Sequence, residues 1–159
     1  MEIGVISDTH GLFRPEAVEA LRGSDCIIHA GDVGDPTILE QLAQIAPVTA
    51  VRGNVDKGAW ARRFPESNVL EVEGICIYVL HEIDRLDLKP EAAGFGVVTY
   101  GHSHVPKQET KNGVLYFNPG SAGPKRFSLP ISLGRLIIEN GKLKAELLEL
   151  QGGRFRAEP

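Results

Sequence analysis

The chain has 159 residues, 42% of them hydrophobic, and a formal net charge of −4. Those values fit one domain over residues 1–159 with a sizeable core, and they exclude a disordered chain. They also exclude bulk nucleic-acid binding, which needs a basic surface, and no apolar run approaches the roughly 18 residues of a membrane span.

Taken in chain order, the first half alternates between two periodicities. IGVIS, from Ile3, is a short apolar run rich in β-branched residues and reads as a strand. PEAVEALRG has helical spacing, with Pro15 suited to the first turn and Gly23 to the end. DCIIHAGD, from Asp25, is a second strand, and DPTILEQLAQIA is a helix with Asp35 at its N-cap and Pro36 following. VTAVRGN, from Val48, is a third strand. Strand–helix–strand units of this kind imply parallel strands with right-handed crossovers.

The second half reads differently. NVLEVEGICIYVLHE, from Asn68, is two strands joined near Glu73 and Gly74, and LKPEAAGFG leaves room for one short helix. GVVTYGHSH, PKQETKNGVLYFNPG and PISLGRLIIENGKLKAELLEL are further strands, with Asn112-Gly113 and Asn140-Gly141 as strong hairpin signals. The expected fold is α/β: a four-layer α-β-β-α sandwich of two mixed sheets flanked by helices, parallel in the first half and mostly antiparallel in the second. Cys26 and Cys76 lie in apolar β-like runs without zinc-site spacing and read as core thiols. With an N-terminal MEIGVISDTHG that lacks the basic stretch of a secretory signal, they make the cytoplasm the expected location.

Polar residues gather where the apolar runs stop. The first strand is followed by Asp8 and His10, the second by Asp32, the third by Asn54, a later one by His81, and GVVTYGHSH ends in His102 and His104. Ligand sites in parallel α/β sheets lie beyond the carboxyl ends of the strands, so seven candidate metal ligands aim at one place. Imidazole and carboxylate suit manganese, iron, zinc or nickel, and an amide oxygen can complete a shell. Two cations about 3.5–4 Å apart need an anionic bridge, which a carboxylate supplies. Gly31 before Asp32 removes side-chain bulk and permits close approach. Residues two apart on an extended segment project to the same side, so Asp8 and His10 can meet one ion. His102 and His104 can do the same, or a turn can divide them between two. Each motif alone is ordinary: a strand-terminal Asp is often a helix cap, and Gly-Asp is a common turn pair. Their conjunction, in this order, is not.

At these residues the sequence resembles the calcineurin-like metallophosphoesterase superfamily, whose signature runs D-x-H, G-D, G-N-x-D/E, a histidine, and G-H-x-H. The matching positions are Asp8 to His10, Gly31-Asp32, Gly53 to Asp56, His81, and Gly101 to His104. The closing FNPGSAGPKR and the hairpin after it resemble the small bacterial and archaeal phosphodiesterase branch, which is akin to the scaffold subunit of retromer. The resemblance implies a sandwich of two sheets and two divalent metal ions per chain, manganese foremost, with iron, zinc or nickel as alternatives. Carried over by motif, Asp8, His10, Asp32 and His104 hold one ion. Asp32, Asn54, His81 and His102 hold the other, with Asp32 bridging, and Asp32, Asn54 and His81 count as catalytic. The implied reaction is in-line attack on a small phosphoester, a phosphodiester first, by a hydroxide held between the ions. A phosphomonoesterase or protein phosphatase, and a catalytically weak metal-binding scaffold, are the alternatives. Exposed edge strands leave room for a homo-oligomer, and no membrane partner is expected.

Two positions depart from that family. Many members carry a histidine after the Asn, thought to assist the leaving group, and here the residue is Val55. Glu82 follows His81 where relatives often have glycine. Four roles stay open. His29 either orients a ligand or is a satisfied core histidine. Asp56 either supports the site or caps a helix from Lys57. Lys125 and Arg126 face either a phosphate or water. Asn118-Pro119-Gly120 reads as a turn.

Overall fold

β1 (Glu2–Ile6), β2 (Cys26–His29) and β3 (Val48–Ala50) pair in parallel, Ile3 opposite Cys26 and Ile27 opposite Val48. In this computed structural model, residues 1–150 are described, together with the backbone of 155–156. α1 (Pro15–Leu21) and α2 (Pro36–Ala43) form the crossovers. α2 starts as its sequence predicts: the Asp35 carboxylate accepts the Thr37 N–H at 2.9 Å, and Pro36 occupies the first turn.

The second half builds its own sheet. β4 (Ser67–Val72) and β5 (Ile75–Leu80) form a hairpin, α3 (Pro90–Ala93) lies between β5 and β6 (Val97–Thr99), and β7 (Lys107–Lys111) turns into β8 (Val114–Asn118). The order is β4-β5-β6-β8-β7. The outer hairpins β4–β5 and β7–β8 are antiparallel, as expected, while β5, β6 and β8 pair in parallel at the centre of a mixed sheet. The reason is the connection through residues 81–96, which crosses over with α3 rather than turning back. The central strands then bury both faces and carry near-continuous apolar runs.

β9 (Ser132–Glu139) returns beside β1 in the first sheet, followed by β10 (Lys142–Glu149) and β11 (Phe155–Arg156), giving the order β11-β10-β9-β1-β2-β3. Both Asn-Gly hairpins form. Asn112 and Gly113 have φ of 51° and 79°, and Asn140 and Gly141 have 53° and 75°, as a two-residue turn with positive φ at both positions requires.

Strand alternation sorts the side chains into layers. Ile6 and Ile27 face α1 and α2, against Leu21, Ile38 and Leu42. Ile3, Val5 and Ile28 point the other way, into the core between the sheets, with Ile77, Val79, Val97 and Phe117. A smaller cluster of Leu80, Val98, Tyr100 and Val114 is covered by Ile83 and Leu86. The expected four-layer sandwich is present, with its fourth layer reduced to a four-residue α3 and a short 3-10 turn at Ile83–Arg85. Cys26 and Cys76 are free thiols, each half-buried.

Candidate metal centre

The five strands named for their polar ends, β1, β2, β3, β5 and β6, deliver Asp8, His10, Asp32, Asn54, His81, His102 and His104 to one place. Asp8 is fully buried, and its two oxygens differ. Oδ2 accepts the Ser7 hydroxyl at 2.6 Å and the His102 N–H at 3.0 Å. Among the described residues Oδ1 has no hydrogen-bond partner, although Nε2 of His104, His10 and His81 lie 3.3, 3.5 and 3.8 Å away. Nε2 of His10 and His104 are 3.2 Å apart. Asp32 Oδ1 accepts the Val55 N–H at 3.0 Å, while Oδ2 faces His81 Nε2 at 3.1 Å and His10 Nε2 at 3.6 Å.

The donors fall into two groups. Asp8, His10 and His104 form one; Asp32, His81 and His102 form the other. Asn54 joins the second through its Oδ1, 3.2 Å from His102 Nδ1. GHSH is therefore divided between the groups. The route to this geometry differs from the extended-segment expectation. Asp8, His10, Asp32, His102 and His104 all have left-handed backbone, with φ between 46° and 73°. Non-glycine residues rarely adopt it, and each costs of order 1–3 kcal/mol, so the surrounding contacts must hold these turns in place. Gly31 does permit a close approach, and the group that needs it is the His81 ring: a Cβ there would lie 2.7 Å from Nδ1.

Charge follows the same pattern. Burial pushes the Asp8 carboxyl up, but the imidazoles of His10, His104 and His81 and the Ser7 hydroxyl outweigh it and hold it well below the usual carboxylate range. Burial also opposes ionised Asp32, and contacts with His81 and the Val55 N–H lower it on balance. Asp8 raises His10. Burial works against a charged His81, yet Asp32 and Asp8 raise it too. Buried carboxylates facing bare imidazole nitrogens need positive charge among them. The mixed nitrogen and oxygen donors and the unpartnered Asp8 Oδ1 and His81 Nε2 fit divalent metal ions.

Residues beyond these seven brace the loops. Asp56 is not a helix cap: it accepts N–H groups from Val33, Gly34 and Gly53 at 3.1, 2.9 and 2.8 Å, tying the Asp32 loop to the Asn54 loop. His29 is both a satisfied core histidine and a support. Its Nδ1 accepts the Gly31 N–H, its Nε2 meets the Thr9 hydroxyl at 3.0 Å, and that hydroxyl donates to the Val33 carbonyl. Burial lowers its pKa to about 4, so the ring is neutral. Asn118 is more than a turn residue: its Nδ2 donates to the Gly101 carbonyl and the Ser103 hydroxyl, each at 3.1 Å, fixing the GHSH loop. The Ser121 hydroxyl donates to the Asp8 carbonyl at 2.9 Å. Nothing in sequence spacing marks Ser7, Asn118 or Ser121 for these tasks. Lys125 donates to the Leu129 carbonyl, within its own loop.

Residues 1–141 match the model of the calcineurin-like phosphoesterase superfamily domain. The chain belongs to that superfamily. A probable metallophosphoesterase of Methanocaldococcus jannaschii is 38% identical to it, covering 95% of this chain and 82% of that one. A phosphodiesterase of the same organism is 25% identical, over 94% of this chain and all of that one. Vps29 of Entamoeba histolytica, solved in complex with zinc, superposes with a TM-score of 0.80 at 21% identity, over 99% of this chain and 97% of that one, a likeness of fold. Within this calcineurin-like domain, Val55 is 45% exposed, so an apolar side chain is open to solvent at this position. Glu82 has ordinary extended backbone and pairs with Arg85 at 3.3 Å, so a non-glycine residue fits there without strain.

Proposed function

We propose that this protein is a metal-dependent phosphodiesterase. Asp8, His10, Asp32 and His104 hold one divalent ion, and Asp32, Asn54, His81 and His102 hold the other, with manganese the first choice. When bound, such ions neutralise charge on phosphoryl oxygens and lower the pKa of water toward neutrality. The chain's own part is to hold the donors. Asp32 lies between the groups, with Oδ2 near both His10 and His81. His81 is oriented by its Nδ1–H bond to the Ala30 carbonyl at 2.8 Å, which leaves Nε2 free to coordinate. Asn54 and His102 are exposed and form the side open to a substrate.

The observation that carries this reading is the fully buried Asp8 Oδ1, without a hydrogen bond and faced by three imidazoles. A scaffold that bound no metal would have no use for that arrangement. The phosphodiesterase names among the relatives favour diester over monoester substrates. The test is elemental analysis of the purified protein, then rates on bis(nitrophenyl) phosphate and nitrophenyl phosphate with manganese, zinc, nickel or iron. Two ions per chain and preference for the diester are expected. Preference for the monoester would make it a phosphomonoesterase, and metal without turnover would return it to a scaffold.

A further inference from the structure

A cavity of about 410 Å³ adjoins the centre, with Asn54 and His81 in its wall. His81 is 4% exposed, and its Nε2 has no hydrogen-bond partner among the described residues, so the cavity is walled in part by a residue of the centre. Asp8, Asp32 and His104 are buried, whereas Asn54 and His102 are exposed. Asn54, one of the two exposed donors, lies in the cavity wall, so the cavity opens beside the accessible face of the centre.

The charge of the wall says which substituent. Two arginines line it, and both are engaged. Arg52 donates to the Phe64 carbonyl at 2.6 Å and pairs with Glu66 at 3.5 Å. Arg85 pairs with Glu82 at 3.3 Å. Glu66 and Glu82 offset those arginines, and Asp56 is buried against three backbone N–H groups, which leaves the exposed Asp87 as the unbalanced carboxylate of the wall. No cation pairs with Asp87 among the described residues. Asp87 locally repels a second phosphate or a carboxylate on the substrate and attracts a cation. Tyr78 adds an aromatic surface, which alkylammonium groups favour.

We propose that this cavity receives one ester group of the diester and selects an alkylammonium alcohol over neutral or anionic ones, an inference that rests on the phosphodiesterase reading. The test uses three nitrophenyl phosphodiesters of constant leaving group. Their second alcohols are choline, neohexyl alcohol (its neutral carbon isostere) and glycolate. For the metal-loaded protein, kcat/KM for the choline ester should exceed that for the neohexyl ester roughly fivefold, the scale of one accessible ion pair, with the glycolate ester slowest. Asp87→Asn should bring the choline-to-neohexyl ratio toward one while metal content stays at two ions. Equal rates on all three esters, or a ratio unmoved by Asp87→Asn, would overturn this inference alone. No turnover of any diester would overturn the phosphodiesterase reading and this inference with it.

Discussion

His81 Nε2 lies 3.1 Å from Asp32 Oδ2 while the same ring donates through Nδ1 to the Ala30 carbonyl at 2.8 Å. A neutral imidazole with its proton on Nδ1 has only a lone pair at Nε2, so two acceptors face each other. Buried acceptors at that separation need a proton or a metal cation between them.

The first prediction follows from that pair. Without metal the cation is a proton, and His81 and His10 are raised above 6.5. Their contribution to stability is fully present below pH 6.5 and is lost as pH rises through their folded values. His29 acts in the opposite sense. Its folded value is about 4, so between pH 6.5 and 4 the unfolded chain binds a proton that the folded one does not, and stability falls as pH drops. Metal-free protein should therefore have its highest Tm near pH 6.5. Manganese should abolish the decline on the alkaline side. Calorimetry at pH 5, 6.5 and 8, with chelator and with metal, checks this; a metal-free Tm still rising at pH 8 would contradict it.

Asp32 stands between the two donor groups. Asp32→Ala should remove both ions and abolish hydrolysis. Elemental analysis that finds two ions per chain in this variant, with wild-type rates, would disprove the bridge.

His102 and His104 belong to different groups, so each Ala variant should lower stoichiometry toward one ion. They should differ in stability. His102 is exposed and His104 is 3% exposed. His104→Ala should cost about 1–3 kcal/mol in metal-free protein, within the range of cavity-forming changes, and His102→Ala almost nothing. Full metal retention in either variant would rule out that residue as a ligand.

Asp56 gathers three backbone N–H groups from two loops. Asp56→Ala leaves them without their acceptor, at about 1–3 kcal/mol for each that water cannot reach. Metal affinity should fall along with stability, because the Asp32 and Asn54 loops lose their common anchor. A variant with wild-type Tm and metal content would show that the clamp is dispensable.

Val55 lacks the proton donor that many relatives have at this position. General acid catalysis is worth ~10²–10⁴-fold and matters most for poor leaving groups. Rates should fall steeply as leaving-group pKa rises across aryl and alkyl phosphodiesters. Val55→His should help alkyl esters more than nitrophenyl esters at unchanged metal content. A flat dependence in the wild type would show that another group supplies the proton.

Much of this molecule is written locally. Asp35-Pro36 starts α2, and Asn112-Gly113 and Asn140-Gly141 turn their hairpins, because caps and positive-φ turns depend on a few adjacent residues. The seven candidate ligands were legible for a similar reason: each follows an apolar run, and strand ends in such sheets converge. Tertiary structure alone decided the rest. β5, β6 and β8 are parallel because the chain crosses over between them, and periodicity within a strand carries no direction. Asp8 and His10 meet through left-handed turns, not along an extended segment, and those turns are held by His29, Ser121 and neighbouring loops. Asn118 reaches the GHSH loop, and Asp56 joins two loops, across chain separations that no spacing rule describes. Such hydrogen bonds exist only after the two sheets pack and bring the strand ends into one buried volume. There, each polar group must find a partner or a cation.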